Sequence, residues 1–152
     1  MSPTEKLLQK VYRLLSFRDR SEKEIRDYLK GKSENSGEII EKLKEQGLMN
    51  DEKFAKEWVE SRRRSKQKGV KALRLELWQK GINKEIIEQV VSYQLLAVSE
   101  TQIAEKALEK KEKVWKNLEA LEFRKKATDF LMRKGFEYEV AKVVVDNFLK
   151  NR

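Results

Sequence analysis

The chain contains neither cysteine nor histidine. Disulfides, thiol catalysis, histidine-based triads and zinc sites with Cys or His ligands are therefore excluded. Proline occurs once and glycine six times. With so few interruptions, and with Leu, Lys, Glu, Ala and Arg dominant, the composition argues for an all-helical protein. The N-terminus lacks an apolar signal core, and no apolar run could span a bilayer. A soluble cytoplasmic protein without a membrane partner or a cofactor is the expectation.

What is present is charge. At 152 residues the chain suits one ordinary domain or a short array of small units. It is 39% hydrophobic and 40% charged, so a core must coexist with a heavily charged surface. The net charge of +9 favours nucleic acid, an anionic membrane or an acidic protein as partner. A solvated Lys/Glu surface, as in heat-adapted proteins, has the same composition. The distribution separates these readings. From Ser61 to Leu75 there are seven basic residues and no acid, whereas elsewhere Lys and Glu are interspersed.

Hydrophobic spacing gives the elements in order. Thr4 to Ser16 reads as a helix with Leu7, Val11 and Leu14 on one face, and Pro3 suits its start. Ser21 and Glu24 form a capping-box pattern ahead of Ile25, Tyr28 and Leu29. Lys30 to Gly37 reads as a loop. A helix with Ile39, Ile40 and Leu43 inward follows, stopped by Gly47, with Leu48 placed to fold back on it. Asn50 or Asp51 caps a helix to about Arg64, carrying Phe54 and Trp58. Lys66 to Gly69 connects it to a helix from Val70 to Lys80, with Val70, Leu73 and Leu77 on one face and Trp78 near. Asn83 caps the next, in which Ile86, Val90 and Tyr93 share a face beside Ile87 and Val91. A capping-box candidate at Ser99 opens a long helix with Ile103, Ala107, Val114, Leu118 and Leu121 inward and a break near Glu119 to Glu122. A helix carrying Phe123, Ala127, Phe130 and Leu131 ends at Gly135. The last holds Val140, Val143, Val144 and Phe148.

These elements recur. Glu38-Ile39-Ile40-Glu41 aligns with Glu85-Ile86-Ile87-Glu88 at an offset of 47 residues, and more loosely with Glu139-Val140-Ala141-Lys142. Lys80-Gly81-Ile82 aligns with Lys134-Gly135-Phe136 at an offset of 54. Both offsets lie in the range of helical repeats. The expected fold is all-α, with three tandem three-helix repeats over residues 1–49, 50–98 and 99–152. Each unit buries little alone, so the units should stack into an elongated, curved array.

The middle unit resembles the RecX family of bacterial recombination regulators. The resemblance rests on Asn50-Asp51-Glu52-Lys53-Phe54-Ala55, Trp58-Val59 before Arg62-Arg63-Arg64, Gly69-Val70, Arg74 with Glu76-Leu77, and Gln79-Lys80-Gly81-Ile82. Arg20-Ser21, Glu24-Ile25 and Tyr28-Leu29 extend it to the first unit. Phe130-Leu131 and Arg133-Lys134-Gly135-Phe136 extend it to the third. Lys30 to Gly37 departs from the family's Lys-Gly-hydrophobic turn and is longer and more polar. The resemblance implies a non-enzymatic modulator of RecA. Such a protein binds the RecA filament on single-stranded DNA, restrains its growth, ATP hydrolysis and strand exchange, and binds DNA weakly. A monomer is expected.

Arg62, Arg63, Arg64, Lys66, Lys68, Lys71 and Arg74, with Lys80, are the candidate surface for RecA or DNA. Arginine suits bidentate contact with phosphate or carboxylate. Consecutive helical residues turn by about 100°, so the three arginines cannot all face one way. A helix end favours cations anyway, so a merely solvated terminus competes with this reading. Trp58 and Trp78 lie on apolar faces and read as core, as do Tyr12, Tyr28 and Tyr93 at the core or its edge; Trp115 lies among lysines. Asp51-Glu52 could suggest a metal-dependent nuclease, but at a helix start the pair reads better as cap and dipole partners. Two other classes compete with the filament regulator: a stand-alone DNA-binding helical protein, and an adaptor that binds acidic proteins and ignores DNA.

Overall fold

In the computed structural model, which describes residues 1–152, every regular element is a helix. The first triplet is α1 (Pro3–Phe17), α2 (Glu22–Leu29) and α3 (Ser36–Glu45). The second is α4 (Asp51–Lys66), α5 (Val70–Gln79) and α6 (Lys84–Ala97). The third is α7 (Glu100–Glu109), α9 (Ala120–Arg133) and α10 (Tyr138–Lys150), with a one-turn α8 (Glu112–Trp115) inserted. Substantial helix–helix packing lies within triplets, and each triplet has its own hydrophobic cluster.

The starts follow the expected chemistry. Pro3 opens α1, and the Ser2 hydroxyl accepts the Glu5 N–H. Ser21 and Glu24 form the capping box in both directions. The Asn50 and Asn83 side chains accept the Lys53 and Glu85 N–H groups. The box expected at Ser99 does not form; its hydroxyl makes no cap bond, and Glu100 beside it is held by the preceding triplet instead.

Three stretches differ from the expected faces. In α6 the buried residues are Ile87, Val91 and Gln94, while Tyr93 is 58% exposed. The face is centred on Ile87 and Val91, with Ile86 and Val90 packed at its edge, where the helix lies against both α4 and α5. The long helix after Ser99 breaks at Lys110, a full turn and more before the expected place, and Val114 and Leu121 are exposed. The break lets Trp115 pack edge-on against Phe123 and Phe130, at centroid distances of 6.5 and 5.7 Å. A straight helix would carry Trp115 about 12 Å along the axis from Ala107, away from that core. The Lys116 and Leu118 carbonyls at the break accept from the Arg152 guanidinium at 2.5 and 2.7 Å. In α10, Ala141, Val144 and Val145 are buried and Val143 is exposed.

The turn after α2 accounts for the departure at Lys30. Helices α5 and α9 end in Schellman motifs, with Ile82 N–H on the Leu77 carbonyl and Phe136 N–H on that of Leu131, both 3.1 Å. Leu48 N–H closes α3 likewise on Leu43, yet its side chain stays exposed and Met49 is buried. In contrast, Lys30 has φ −58° and ψ 125°, Gly31 has φ +77°, and Lys32 N–H bonds to the Leu29 carbonyl at 2.9 Å. That is a type II turn. It puts Lys32, not an apolar residue, where Ile82 and Phe136 enter their cores.

The triplets are joined end to end through their middle helices. At the first junction the Ser21 hydroxyl, at the N-cap of α2, donates to the Lys80 carbonyl at the C-cap of α5, 2.7 Å. Glu22 N–H donates to the Asp51 carboxylate at 2.9 Å. At the second, Gly69 N–H, at the N-cap of α5, donates to the Lys134 carbonyl at the C-cap of α9, 2.8 Å. Val70 N–H donates to the Glu100 carboxylate at 3.3 Å. The two junctions use the same positions: N-cap to Lys carbonyl, and first helical N–H to the first acid of the next triplet. Free N–H groups of one helix thus meet free carbonyls of the next, and the helix dipoles align head to tail. Repeating one rigid operation builds a curved, extended path rather than a ball. The accessible surface of 10037 Å² exceeds the about 8100 Å² of a compact monomer of this size.

Two predictions follow from the joints. A Cβ on Gly69 would lie 2.4 Å from the Gly135 carbonyl carbon, whereas one on Gly31 would meet nothing within 4 Å. Gly69→Ala should therefore destabilise the chain by about 2 kcal/mol or more, and Gly31→Ala only by the cost of its positive φ, about 1 kcal/mol, in urea titrations of both variants. Equal losses would refute the close junction. The second concerns pH. Burial pushes the Glu24 carboxyl up, but bonds from Arg18, the Ser21 N–H and Lys80 outweigh it and hold the pKa at about 2. A depressed carboxylate stabilises the fold above its unfolded value of 4.5, and that contribution is lost as pH falls towards 2. Wild type should lose stability between those values more steeply than Glu24→Gln, as read by melting temperature against pH.

Candidate functional site

The acid-free stretch of the sequence folds as the last turn of α4, a three-residue connection and α5. Gln67 ends α4 in the left-handed region, at φ 47° and ψ 51°. Its amide is buried and active at both ends: the NH2 donates to the Arg64 carbonyl, and the oxygen accepts from Lys110 of the third triplet. The chain there reverses against the C-terminal ends of α7 and α9.

Stretch and surface are not the same thing. The three arginines turn in three directions, as helical geometry requires. Arg63 points inward and is 5% exposed. It pairs with Glu100 and donates to the Lys68 carbonyl at 3.1 Å, which removes it from any binding surface. Arg62 lies sideways in a bidentate pair with Glu76, at 2.9 and 3.3 Å, with its guanidinium 5.6 Å from the Trp58 ring centre. Arg74 pairs with Glu88 at 3.1 Å and Lys80 with Glu24 at 3.2 Å. Arg64, Lys66, Lys68 and Lys71 have no carboxylate partner. Of the eight expected residues, these four carry charge that the fold does not use.

Two further cations belong with them and escaped the linear reading. Lys134, at the C-cap of α9, has its pKa lowered, first by burial and then by Lys68, Lys110, Lys66 and Arg62. Lys110 follows the end of α7. Helix C-termini attract cations, so each lysine alone could be a dipole partner. Burial and the positive neighbours both disfavour the charged Lys134, and an anion bound there would relieve it. The signal was in the repeat: Lys134 aligns with Lys80, and the junction rule places it against Gly69.

The tryptophans divide. Trp58 is stacked on Phe54 at 5.8 Å, lies 5.1 Å from the Lys80 ammonium, and donates from its indole N–H to Glu76 at 3.0 Å. Trp115 is half-buried at the aromatic break described above. Trp78 was expected in the core and is 69% exposed. Its helix spends Leu73 and Leu77 on the core, Glu76 on α4 and Arg74 on α6, which leaves Lys71, Leu75 and Trp78 on the outward face. Tyr12 and Tyr28 are half-buried; Tyr12 donates to Gln46 at 2.9 Å and Lys32 covers Tyr28 at 4.7 Å. The Asp51 carboxylate, raised by burial, is the acceptor of the first junction. No helix is long and apolar enough to cross a membrane.

Comparison with known proteins gives a consistent match. Residues 8–34 match the model of the RecX first three-helix domain, 50–91 that of the second and 99–145 that of the third. The regulatory protein RecX of Listeria welshimeri is 36% identical over 141 residues, covering 89% of this chain and 51% of that protein. That of Bacillus subtilis is 34% identical over 135 residues, covering 87% and 51%. This chain thus spans about half the length of the curated relatives it matches. A crystal structure of RecX from Lactobacillus salivarius superposes with a TM-score of 0.79 at 25% identity, covering 95% of this chain and 96% of that one. Another RecX crystal structure gives 0.79 at 26%, covering 95% and 72%.

The distinction between spent and free charge is testable on stability alone. Glu100→Ala strands the buried Arg63 guanidinium and should cost about 3–5 kcal/mol, whereas Arg64→Ala should stay within about 0.5 kcal/mol. Chemical denaturation of the two variants reads this directly. A neutral Glu100→Ala would return Arg63 to the candidate surface.

Proposed function

This chain belongs to the RecX family of regulatory proteins, and from that premise we propose that it binds RecA and RecA filaments on single-stranded DNA. There it modulates, mainly by inhibition, filament extension, ATP hydrolysis and strand exchange in recombination and the SOS response. It acts as a monomer, by binding rather than by catalysis, and touches DNA itself weakly. The observation that carries this reading is the set of cations without a carboxylate partner, Arg64, Lys66, Lys68 and Lys71, of which Lys66 and Lys68 stand with Lys110 close to Lys134 at the joint of the second and third triplets. An extended array with one basic joint suits a partner that is itself long and anionic. Several modest contacts held on one body raise avidity without any one being strong.

The test is ATP hydrolysis by RecA preassembled on single-stranded DNA, with this protein titrated in and excess DNA as a control for sequestration. Inhibition below stoichiometric amounts that survives the control is expected. Replacing Arg64, Lys66, Lys68 and Lys71 together by Gln should raise the concentration needed by about tenfold or more, the equivalent of 1.4 kcal/mol. No inhibition despite tight DNA binding would overturn the reading in favour of the stand-alone DNA-binding protein.

A further inference from the structure

Trp78 is the one tryptophan that the fold leaves without a partner. Trp58 and Trp115 each have aromatic and cationic neighbours, and Trp58 also a hydrogen bond. Trp78 has no ring against it, no cation over it, and no acceptor for its indole N–H. Exposing a large apolar ring has a cost, and nothing inside the chain offsets it. Lys71 and Leu75 share the outward face of Trp78 at helical spacing, with Lys71 about 10 Å up the helix axis. Beyond the C-terminal end, Lys23 of the first triplet crosses Gly81: a Cβ there would lie 2.5 Å from that of Lys23. Lys23 reaches back to the Gln79 carbonyl at 3.3 Å, and its ammonium lies 4.0 Å from Asp27 in an exposed pair of the kind worth little in water. Cations thus stand on both sides of a bare indole along the column of middle helices.

We propose that this face of α5 holds single-stranded nucleic acid, with an unpaired base stacked on Trp78 and neighbouring phosphates on Lys71 and Lys23. The apolar part of the face is Leu75 and Trp78 alone, far below the roughly 800 Å² per partner of a stable protein interface. One ring is enough for one base, and each such stack acts singly. Trp78 is 69% exposed, so it offers a platform rather than a slot. This deepens the filament-regulator reading by naming what one face touches, and stands or falls on direct DNA binding.

The test uses the full chain, an oligo(dT) strand and, as a polyanion without bases, inorganic polyphosphate. Tryptophan emission should be quenched by oligo(dT) at low salt, and Trp78→Phe should remove most of that quenching. Trp78→Ala should weaken oligo(dT) binding about 5- to 150-fold while leaving polyphosphate affinity and the melting temperature unchanged. Lys71→Gln should instead weaken both polyanions and lower the salt slope for the strand by about 0.7. Quenching that persists in Trp78→Phe, or equal oligo(dT) affinity in Trp78→Ala, overturns the proposal. If Trp78→Ala keeps its DNA affinity yet loses its effect on RecA hydrolysis, the face belongs to a protein partner: the proposal fails and the filament reading survives.

Discussion

Everything in this molecule hangs on how the N-terminus of one helix meets the C-terminus of another. Helix ends carry unsatisfied donors and acceptors, and burying them unpaired costs about 1–3 kcal/mol each. The chain meets this by setting the N-cap of α2 on the C-cap of α5, and that of α5 on α9. The hydrophobic clusters stay separate. Polar, directional bonds, not shared apolar area, therefore fix the angle between triplets. Hydrogen bonds hold direction far better than oily contacts do, so an extended body can keep its shape without a continuous core. The same logic requires close backbone approach at Gly69 and Gly135, where a side chain would wedge the joint open.

The joints also sort the charges. Glu22 and Glu24 of α2, Asp51 and Glu100 are drawn to helix starts or junctions, and they bring cations with them: Arg18 and Lys80 at the first, Arg63 at the second. A basic stretch that looks uniform in the sequence is thereby split. Some of its members balance buried acids, which is structural work. Of the remainder, Lys66 and Lys68 stand with Lys110 and Lys134 where the ends of α4, α7 and α9 converge. There burial, and after it the neighbouring cations, lower the pKa of Lys134. Net charge alone could not locate that surplus, because the acids that cancel Arg62 and Arg74 lie 14 residues away in the sequence.

The helices, their order and the threefold repetition were legible because they rest on local chemistry. Ser21 with Glu24, Asn50, Asn83 and the Lys-Gly stops at Gly81 and Gly135 are short-range signals, and each does what its type does elsewhere. What was not legible depends on distant residues. Trp78 sits one residue past Leu77, and spacing alone could not say that Glu76 and Arg74 would claim both flanks of α5. Arg63 could not be told from Arg64 until Glu100 was placed opposite it. The break at Lys110 carries no Gly or Pro; it sets Trp115 against Phe123 and Phe130, which spacing around Lys110 does not reveal. Lys134 entered the site only through the alignment of one triplet with the next.

The two junctions differ in a way that bears on function. The first is ringed by paired charge: Glu24 bonds to both Arg18 and Lys80, and Lys80 in turn covers Trp58. The second has equivalent backbone bonds but is surrounded by unpaired lysines. Like charges held together at a joint push its two sides apart, and a bound anion reverses that force.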